Sequence, residues 1–353
     1  MSTDTSFSAD QNHSKNHSKN SAPANSSSPS SPQPAHGPLS QQRQVPELSL
    51  NSYIEGSSTD QARFVEAFFA GLKDYGFIVL KDHPVSDELL NHAYALVREF
   101  FQLPAEAKSQ YALKDKGFQR GYTPFGQEHA KDAPVMDLKE FWHVGRDLAD
   151  GHRFEANYPK NVWPREVAEF QATMQLIFRE LDRVGKVMLE ALTGPLQVPK
   201  DFFAERVGDG NSILRLLHYP PIPAGVDPRC IRAAAHEDIN LITILVSATT
   251  SGLQLKDRDG SWLDIDSAPN SLIVDAGDML ARITNDLIPS TTHRVVNPAG
   301  PNEARYSMPF FMHPNPDAVL ECLPSCLGKG AKYPPITAQD FLYQRLREIG
   351  LLK

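Results

Sequence analysis

The chain has 353 residues, and its formal net charge of −8 at pH 7 argues against a nucleic-acid surface, since phosphate binding requires clustered Lys and Arg. Its length allows one or two domains with a large buried core. The three cysteines, Cys230, Cys322 and Cys326, show no zinc-type pairing, so we expect free thiols in a reducing compartment rather than a disulfide framework.

Residues 1–45 consist mainly of Ser, Asn, Pro, Gln and His. Such a segment buries too little apolar surface to offset its chain entropy, so we predict a disordered tail. His13, His17 and His36 fit a solvated tail better than a metal site. The tail lacks the apolar core of a signal peptide, and no later stretch is long and apolar enough to span a bilayer. We therefore expect a soluble, cytoplasmic protein without a membrane partner.

Residues 46–195 predict a mixed, largely helical region. Apolar residues at helical spacing predict helices over 59–73, 86–102 and 165–193. Residues 76–80 form a short apolar run between turn signals, which is typical of a buried strand. Residues 137–144 indicate another strand. We expect this region to pack on the core of the protein and to wall its substrate site.

Residues 196–320 contain short strands without intervening helices. The strands are predicted over 212–219, 233–238, 242–247, 252–256, 262–264, 272–276, 279–283, 293–296 and 305–312. Gly277-Asp278 is interpreted as a tight turn between two of them. Residues 321–353 predict a C-terminal helical segment with a cap at Thr337. The predicted fold class is mainly β with flanking helices (α+β), in which N-terminal helices brace a double-stranded β-helix (jelly-roll) core.

The pattern His236-x-Asp238 occurs in one of these predicted strands. Alternate side chains leave an extended chain on the same face, so this His and Asp can point together. His293 opens a later strand, and the three side chains would form the 2-His-1-carboxylate triad of non-haem Fe(II) oxygenases. Arg305 and Ser307, also two apart, could hold a carboxylate. Each motif alone is common in exposed positions, so the prediction of a metal site depends on the combination of the motifs in this order and spacing.

In order and spacing, these motifs resemble those of the isopenicillin N synthase-like branch of the 2-oxoglutarate/Fe(II)-dependent dioxygenase superfamily, over roughly residues 45–348. The resemblance implies that His236, Asp238 and His293 hold Fe(II). It also implies that 2-oxoglutarate chelates this iron, with its distal carboxylate on Arg305 and Ser307 and a further contact from Tyr219. Leu217 departs from the Asn that plant members have at this position. Further residues in the segment that resembles the family's substrate wall are candidate substrate contacts, although a structural role is favoured for each of them individually: Arg120, Tyr122, Glu140, Trp142 and His143.

The implied activity is oxidation of a small molecule by O2 and 2-oxoglutarate, with release of succinate and CO2 and hydroxylation as the default outcome. One alternative is a 2-oxoglutarate-independent Fe(II) oxidase of the isopenicillin N synthase or aminocyclopropane carboxylate oxidase type. A second is a non-catalytic ligand-binding protein, and a zinc hydrolase is more remote. A monomer is favoured, and the sequence does not identify the substrate.

Overall fold

The computed structural model describes residues 43–114, 117–128 and 135–348. Most of the predicted tail, with His13, His17 and His36, lies outside the described residues, as does the predicted helix end near Gly350. The helices are α1 (Asn51–Ile54), α2 (Ser58–Tyr75), α3 (Asp87–Phe101), α4 (Ala105–Ser109), α5 (Phe170–Thr193), α6 (Ala204–Val207), α7 (Asp278–Ile283) and α8 (Ala338–Glu348).

Two sheets form the core of the fold. Their strands are β1 (Glu47–Ser49), β2 (Phe77–Lys81), β3 (Gly121–Thr123), β4 (Glu140–Gly145), β5 (Ile213–Tyr219), β6 (Ala233–His236), β7 (Ile242–Val246), β8 (Leu253–Lys256), β9 (Trp262–Asp264), β10 (Leu272–Ala276), β11 (His293–Val295) and β12 (Arg305–Met312). A separate two-stranded ribbon joins β13 (Val319–Leu320) to β14 (Ile336–Thr337).

The larger sheet has eight strands in the order β1-β2-β10-β7-β12-β5-β4-β3, and the smaller sheet has four in the order β6-β11-β8-β9. From β5 to β12 the chain passes back and forth between these sheets, and the paired strands are antiparallel. This alternation is the double-stranded β-helix, and the predicted jelly-roll fold class is confirmed.

The strands that precede the jelly roll in sequence extend its larger sheet at both edges. At one edge, β1 pairs parallel to β2, and β2 pairs with β10. At the other edge, β3 pairs with β4, and β4 pairs with β5. The side chains of β4 therefore lie beside those of a core strand.

Helix α5 packs across the larger sheet, as the long helical pattern predicts. Phe178 meets Phe310 of β12 with ring centroids 5.0 Å apart. At Gly185 an added Cβ would lie 2.5 Å from Met312 Sδ, so the absence of a side chain allows close helix–sheet packing. The helix begins at Phe170, later than predicted, because Glu169 has the left-handed φ of 63°.

Helices α2 and α3 confirm the two earlier predicted helices. Ser57 accepts from the Asp60 N–H, and Asp60 accepts from Ser57 in return, which forms a capping box at the start of α2. Ser86 accepts from the Leu89 N–H and caps α3. The Thr337 hydroxyl accepts from the Asp340 N–H at 3.1 Å, so the predicted cap of α8 is also confirmed.

The strand predicted over residues 279–283 is wrong, because these residues form α7. Gly277 is the N-cap in an extended conformation rather than part of a tight turn, and its carbonyl accepts from the Ala281 N–H at 3.0 Å. Four of the helix's residues are buried, and a short apolar run has no periodicity that separates a strand from a buried helix. A helix therefore does interrupt the series of core strands.

The strand predicted over 137–144 begins only at Glu140. Leu138 instead donates its backbone N–H to the carbonyl of Ile231, just before β6. The segment before β4 is thus attached to the smaller sheet. All three cysteines are free, as predicted. In the described part of the chain, no helix combines the length and the apolar character that crossing a membrane requires.

Candidate active site

Two histidines face each other at one end of the smaller sheet. His236 ends β6 and His293 begins β11, and the register of this antiparallel pair places them opposite each other. Their ring centroids are 4.4 Å apart. His236 Nδ1 lies 2.8 Å from the carbonyl oxygen of Ala234, and His293 Nδ1 lies 3.1 Å from that of Thr291. Because a carbonyl oxygen only accepts, each Nδ1 carries the proton, and each Nε2 keeps a lone pair for a metal.

Asp238 completes the cluster from the loop after β6, because the strand predicted over residues 233–238 ends at His236. Its Oδ1 lies 3.8 Å from the Nε2 atoms of both His236 and His293. Its Oδ2 accepts from the Thr243 hydroxyl, and its backbone oxygen accepts from the Asp278 N–H at 2.7 Å. One ligand atom from each of the three side chains lies within 4.8 Å of the others, so among the described residues this group could hold a metal ion.

The electrostatics at His236 and at the neighbouring Asp275 suit a divalent cation. Burial, together with the neighbouring His293, lowers the pKa of His236 to about 4, so this imidazole is neutral at pH 7. Burial and the charge of Asp238 raise the pKa of Asp275, on β10, well above its ordinary value. Two imidazole nitrogens and one carboxylate oxygen fit Fe(II), because they leave coordination positions open for other ligands.

Arg305 and Ser307 lie on β12, paired with Tyr219 and Leu217 of β5. Arg305 and Ser307 are each 2% exposed. Arg305 Nη1 donates to Ser307 Oγ at 3.3 Å, its Nε donates to the Thr250 carbonyl at 3.1 Å, and its Cζ lies 5.1 Å from the centroid of the Tyr219 ring. The structure thus brings the three predicted cosubstrate residues together, with Leu217 beside them.

Arg305 forms no ion pair with any carboxylate of residues 43–114, 117–128 or 135–348. Burial lowers the pKa of its guanidinium from the ordinary value, although the group remains charged at neutral pH. A buried charge is strongly destabilising unless it is paired. This pocket therefore fits an anionic ligand group such as a carboxylate.

A cavity of about 440 Å³ opens onto the metal-binding cluster. His236 and Asp238 line it, together with Phe141 of β4, Phe311 of β12 and Tyr343 of α8. Parts of the chain far apart in sequence thus enclose one chamber. This cavity is not lined by the predicted cosubstrate residues Arg305, Ser307 and Tyr219.

One of the five candidate substrate contacts, His143, lines the cavity. The alternation of β4 explains this result, because Phe141 and His143 face the cavity while Glu140 and Trp142 face the helices. The other four pack elsewhere in the core, which agrees with the structural role favoured for each of them: Arg120, Tyr122, Glu140 and Trp142.

Glu140 belongs to a buried polar network instead. Lys108 Nζ contacts both of its carboxylate oxygens at 2.8 and 2.9 Å, His218 Nδ1 lies 2.7 Å from Oε1, and the Tyr122 hydroxyl donates to Oε2. These interactions tie the segment around α4 to β4 and β5. The network satisfies its own charges, which indicates a structural role.

The sequence analysis missed a charged series in the cavity wall. Arg215 Nη1 contacts Glu128 Oε1 at 3.1 Å, Lys139 Nζ contacts the same oxygen at 2.9 Å, and Lys139 also contacts Asp137 Oδ2 at 2.8 Å. The guanidinium carbon of Arg215 lies 4.2 Å from the centroid of the Phe141 ring. The available signal was a charged residue inside the apolar run of a core strand.

A jelly-roll core with two histidines and one carboxylate around open coordination positions defines the class of non-haem Fe(II) oxygenases. Comparisons with known proteins agree. Residues 45–166 match the family model of the N-terminal region of the non-haem dioxygenase in morphine synthesis, and residues 210–314 match that of the 2OG-Fe(II) oxygenase superfamily.

The 2-oxoglutarate-Fe(II) type oxidoreductase hxnY of Emericella nidulans is 31% identical over 84% of this chain and 88% of its own length. A putative 2OG-Fe(II) oxygenase family protein from Caulobacter crescentus is 46% identical, with a TM-score of 0.78 over 86% of this chain and 98% of its own. A full-length Neurospora crassa protein, solved in complex with alpha-KG and thymine, is 30% identical, with a TM-score of 0.77 over 86% of this chain and 96% of its own.

The chain therefore belongs to the 2OG-Fe(II) oxygenase superfamily. It is a 2-oxoglutarate-dependent dioxygenase whose cofactors are Fe(II), 2-oxoglutarate and O2. The interpretation as an enzyme is confirmed, and the relatives do not support the 2-oxoglutarate-independent oxidase, the non-catalytic binding protein or the zinc hydrolase.

Proposed function

We propose that this enzyme hydroxylates a small molecule held in the cavity beside His236 and Asp238. The observation that carries the proposal is the position of this cavity, which opens directly onto the metal-binding cluster. When bound, the iron with 2-oxoglutarate and O2 supplies the oxidation of a C–H bond and the release of succinate and CO2. The chain's own residues bind, orient and enclose the reactants.

His236, Asp238 and His293 hold Fe(II) in this proposal. Two features support the assignment, namely the Nε2 lone pairs of both histidines and the central position of Asp238 Oδ1. Arg305, Ser307 and Tyr219 bind the distal carboxylate of 2-oxoglutarate, since the buried guanidinium lacks an ion-pair partner in the described part of the chain.

The substrate carries polar groups in this proposal. The cavity wall combines the aromatic faces of Phe141 and Phe311 with the polar side chains of His143 and Arg215. The Neurospora crassa relative has been solved with thymine and with 5-formyluracil, which are small and polar. The first substrate screen should therefore contain small polar heterocycles, with succinate formation as the readout.

In this proposal residues 46–195 pack on the core and wall the substrate site, residues 196–320 form the oxygenase core, and residues 321–353 form a C-terminal helical segment. Phe141 and Tyr343, which line the cavity from the first and third parts, support this division. A single chain carries all the site residues, so a monomer suffices. The free cysteines agree with a cytoplasmic location.

The direct test is an anaerobic titration of the Fe(II)-loaded protein with 2-oxoglutarate, followed by visible absorption. We expect a saturable charge-transfer band that is absent from His293→Ala and from Asp238→Ala. His92→Ala, which removes an exposed histidine paired with Glu169, should keep the band. A band that persists in His293→Ala with iron bound would contradict the ligand assignment.

A further inference from the structure

A second buried arginine lies beside the proposed cosubstrate pocket. Arg232 immediately precedes β6 and is 1% exposed. One of its nitrogens, Nη2, donates to the backbone carbonyl of Glu303, two residues before Arg305. This bond fixes the Arg232 side chain against the segment that leads into β12.

Arg232 has more donors than its described neighbours use. A guanidinium carries five N–H donors. Nε is buried and has no hydrogen-bond partner, and Arg232 forms no ion pair with any carboxylate among the described residues. A buried arginine usually has a carboxylate partner, because an unpaired buried charge is strongly destabilising. The N–H donors of Arg232 are therefore available to a ligand, because the described residues supply no acceptor for all of them.

Arg232 and Arg305 share one electrostatic environment. Burial and the charge of Arg305 lower the pKa of Arg232, while Tyr219 acts on both guanidiniums in the opposite direction. Arg305 also uses only part of its donor set, on Thr250 and Ser307. Arg232 and Arg305 are thus two positive charges near Tyr219, and neither forms an ion pair with a carboxylate among the described residues.

We propose that Arg232 is a second guanidinium for the distal carboxylate of 2-oxoglutarate, which it binds together with Arg305. This inference rests on the proposed function of the pocket. 2-Oxoglutarate carries two carboxylates, of which one belongs at the metal and the other reaches this pocket. A carboxylate offers about four acceptor sites on its two oxygens, enough for donors from both arginines.

The experiment measures ketoacid binding without turnover. Anaerobic calorimetric titrations of the Mn(II)-loaded protein use 2-oxoglutarate and 2-oxopentanoate, which retains the chelating ketoacid end but lacks the distal carboxylate. We expect Arg232→Met to weaken 2-oxoglutarate at least tenfold and to change 2-oxopentanoate less than twofold. Arg232→Lys, which keeps the charge, should recover part of the loss.

Arg282→Met is the matched control. Arg282 Nη2 also donates to a backbone carbonyl, that of Pro334, and its Nε also lacks a partner in the described residues, but its guanidinium lies over the rings of Tyr333 and Phe341, away from the proposed cosubstrate residues. Its loss should leave both ketoacid dissociation constants unchanged. If Arg232 only anchors the Glu303 carbonyl, Arg232→Met will lower the melting temperature and either weaken both ketoacids equally or weaken neither.

The proposed function and this inference fail in different ways. Failure of the wild-type protein to bind 2-oxoglutarate would overturn the function of the pocket. Wild-type binding with an unchanged 2-oxoglutarate affinity in folded Arg232→Met would overturn only the role of Arg232. An undiminished ratio of the two ketoacid dissociation constants in Arg232→Met would likewise assign the distal carboxylate to Arg305 alone.

Discussion

Gly277 lies directly against Asn240, and a Cβ on this glycine would overlap the Asn240 carbonyl oxygen. Gly277 precedes α7, and Asn240 lies in the loop that carries Asp238. The Met279 N–H donates to the same carbonyl at 3.0 Å. The absence of one side chain therefore lets a helix start support the loop of a proposed metal ligand.

Gly277→Ala should displace this loop and weaken metal binding at least tenfold. The added methyl group has to push backbone away, which typically costs about 1 to 3 kcal/mol of stability. Mn(II) titration and urea unfolding measure the two effects. Gly194→Ala is the control, because no atom other than its chain neighbours and its own helix backbone lies within 4 Å of that Cβ. Equal metal affinity in both variants would argue against support of the Asp238 loop by Gly277.

Thr243→Val should weaken metal binding without removing a ligand. The Thr243 hydroxyl donates to Asp238 Oδ2 and thereby orients the carboxylate, while Asn240 Nδ2 donates to the same hydroxyl at 3.0 Å. Loss of such an outer partner typically lowers metal affinity about 10- to 100-fold. Calorimetric Mn(II) titration measures the change. Thr193→Val, which removes a hydroxyl bonded to the Glu190 carbonyl, should leave the metal affinity unchanged.

The stability of the metal-free protein should fall with acidity, partly through His313. Burial lowers the pKa of His313 to about 4, against about 6.5 in the unfolded chain. Between pH 6.5 and pH 4, His313 binds a proton in the unfolded state but stays neutral in the folded state. The free energy of unfolding therefore decreases as the pH falls from 6.5 towards 4.

His313→Gln should flatten this dependence. The lowered pKa of His313 changes the free energy of unfolding by an amount on the order of 3 kcal/mol between pH 6.5 and pH 4. Urea unfolding at pH 7.5 and pH 5 gives the difference for both proteins. Some dependence will remain, since the lowered pKa of His236 acts in the same direction. Identical pH slopes would mean that His313 has the same pKa in the folded and the unfolded protein.

Lys108→Met should destabilise the fold by about 3 to 5 kcal/mol, because it leaves the Glu140 carboxylate buried without its cation. The double variant Lys108→Met, Glu140→Gln should recover part of this loss, since it removes both charges. Urea unfolding of the two variants and of Glu140→Gln tests the difference. A double variant less stable than Lys108→Met would show that the network does not depend on charge pairing.

Local patterns were sufficient for most elements and for the motifs. Helices α2 and α3 carry apolar stripes and side-chain caps that act within a few residues. The spacing of Arg305 and Ser307 along β12 reflects a two-residue period that operates locally, whereas Asp238 lies in the loop after β6, two residues beyond the end of that strand. The grouping of Arg305 with Ser307 was therefore predictable before any contact between distant segments was known.

Other features depend on partners far away in sequence. The residues of α7 are as apolar as those of a buried strand, so their sequence alone does not predict a helix. At the start of this helix, Gly277 packs against Asn240, a residue from another part of the chain. Glu140 and His143 lie on opposite faces of β4, and the pairing of this strand with β5 determines which face meets the cavity. No local pattern indicated that face, so Glu140 could not be separated from His143 as a candidate substrate contact, and Arg215 was overlooked.

The sequence by itself determined the class of fold, the identity of the candidate metal ligands and the Arg-x-Ser pair, because strand periodicity and metal chemistry act over short spacings. Only the tertiary structure decided which side chains surround the cavity and that Arg232 lies beside Arg305. Those relationships arise when strands separated by many residues pair in one register, and a shift of a single residue would turn every side chain to the other face.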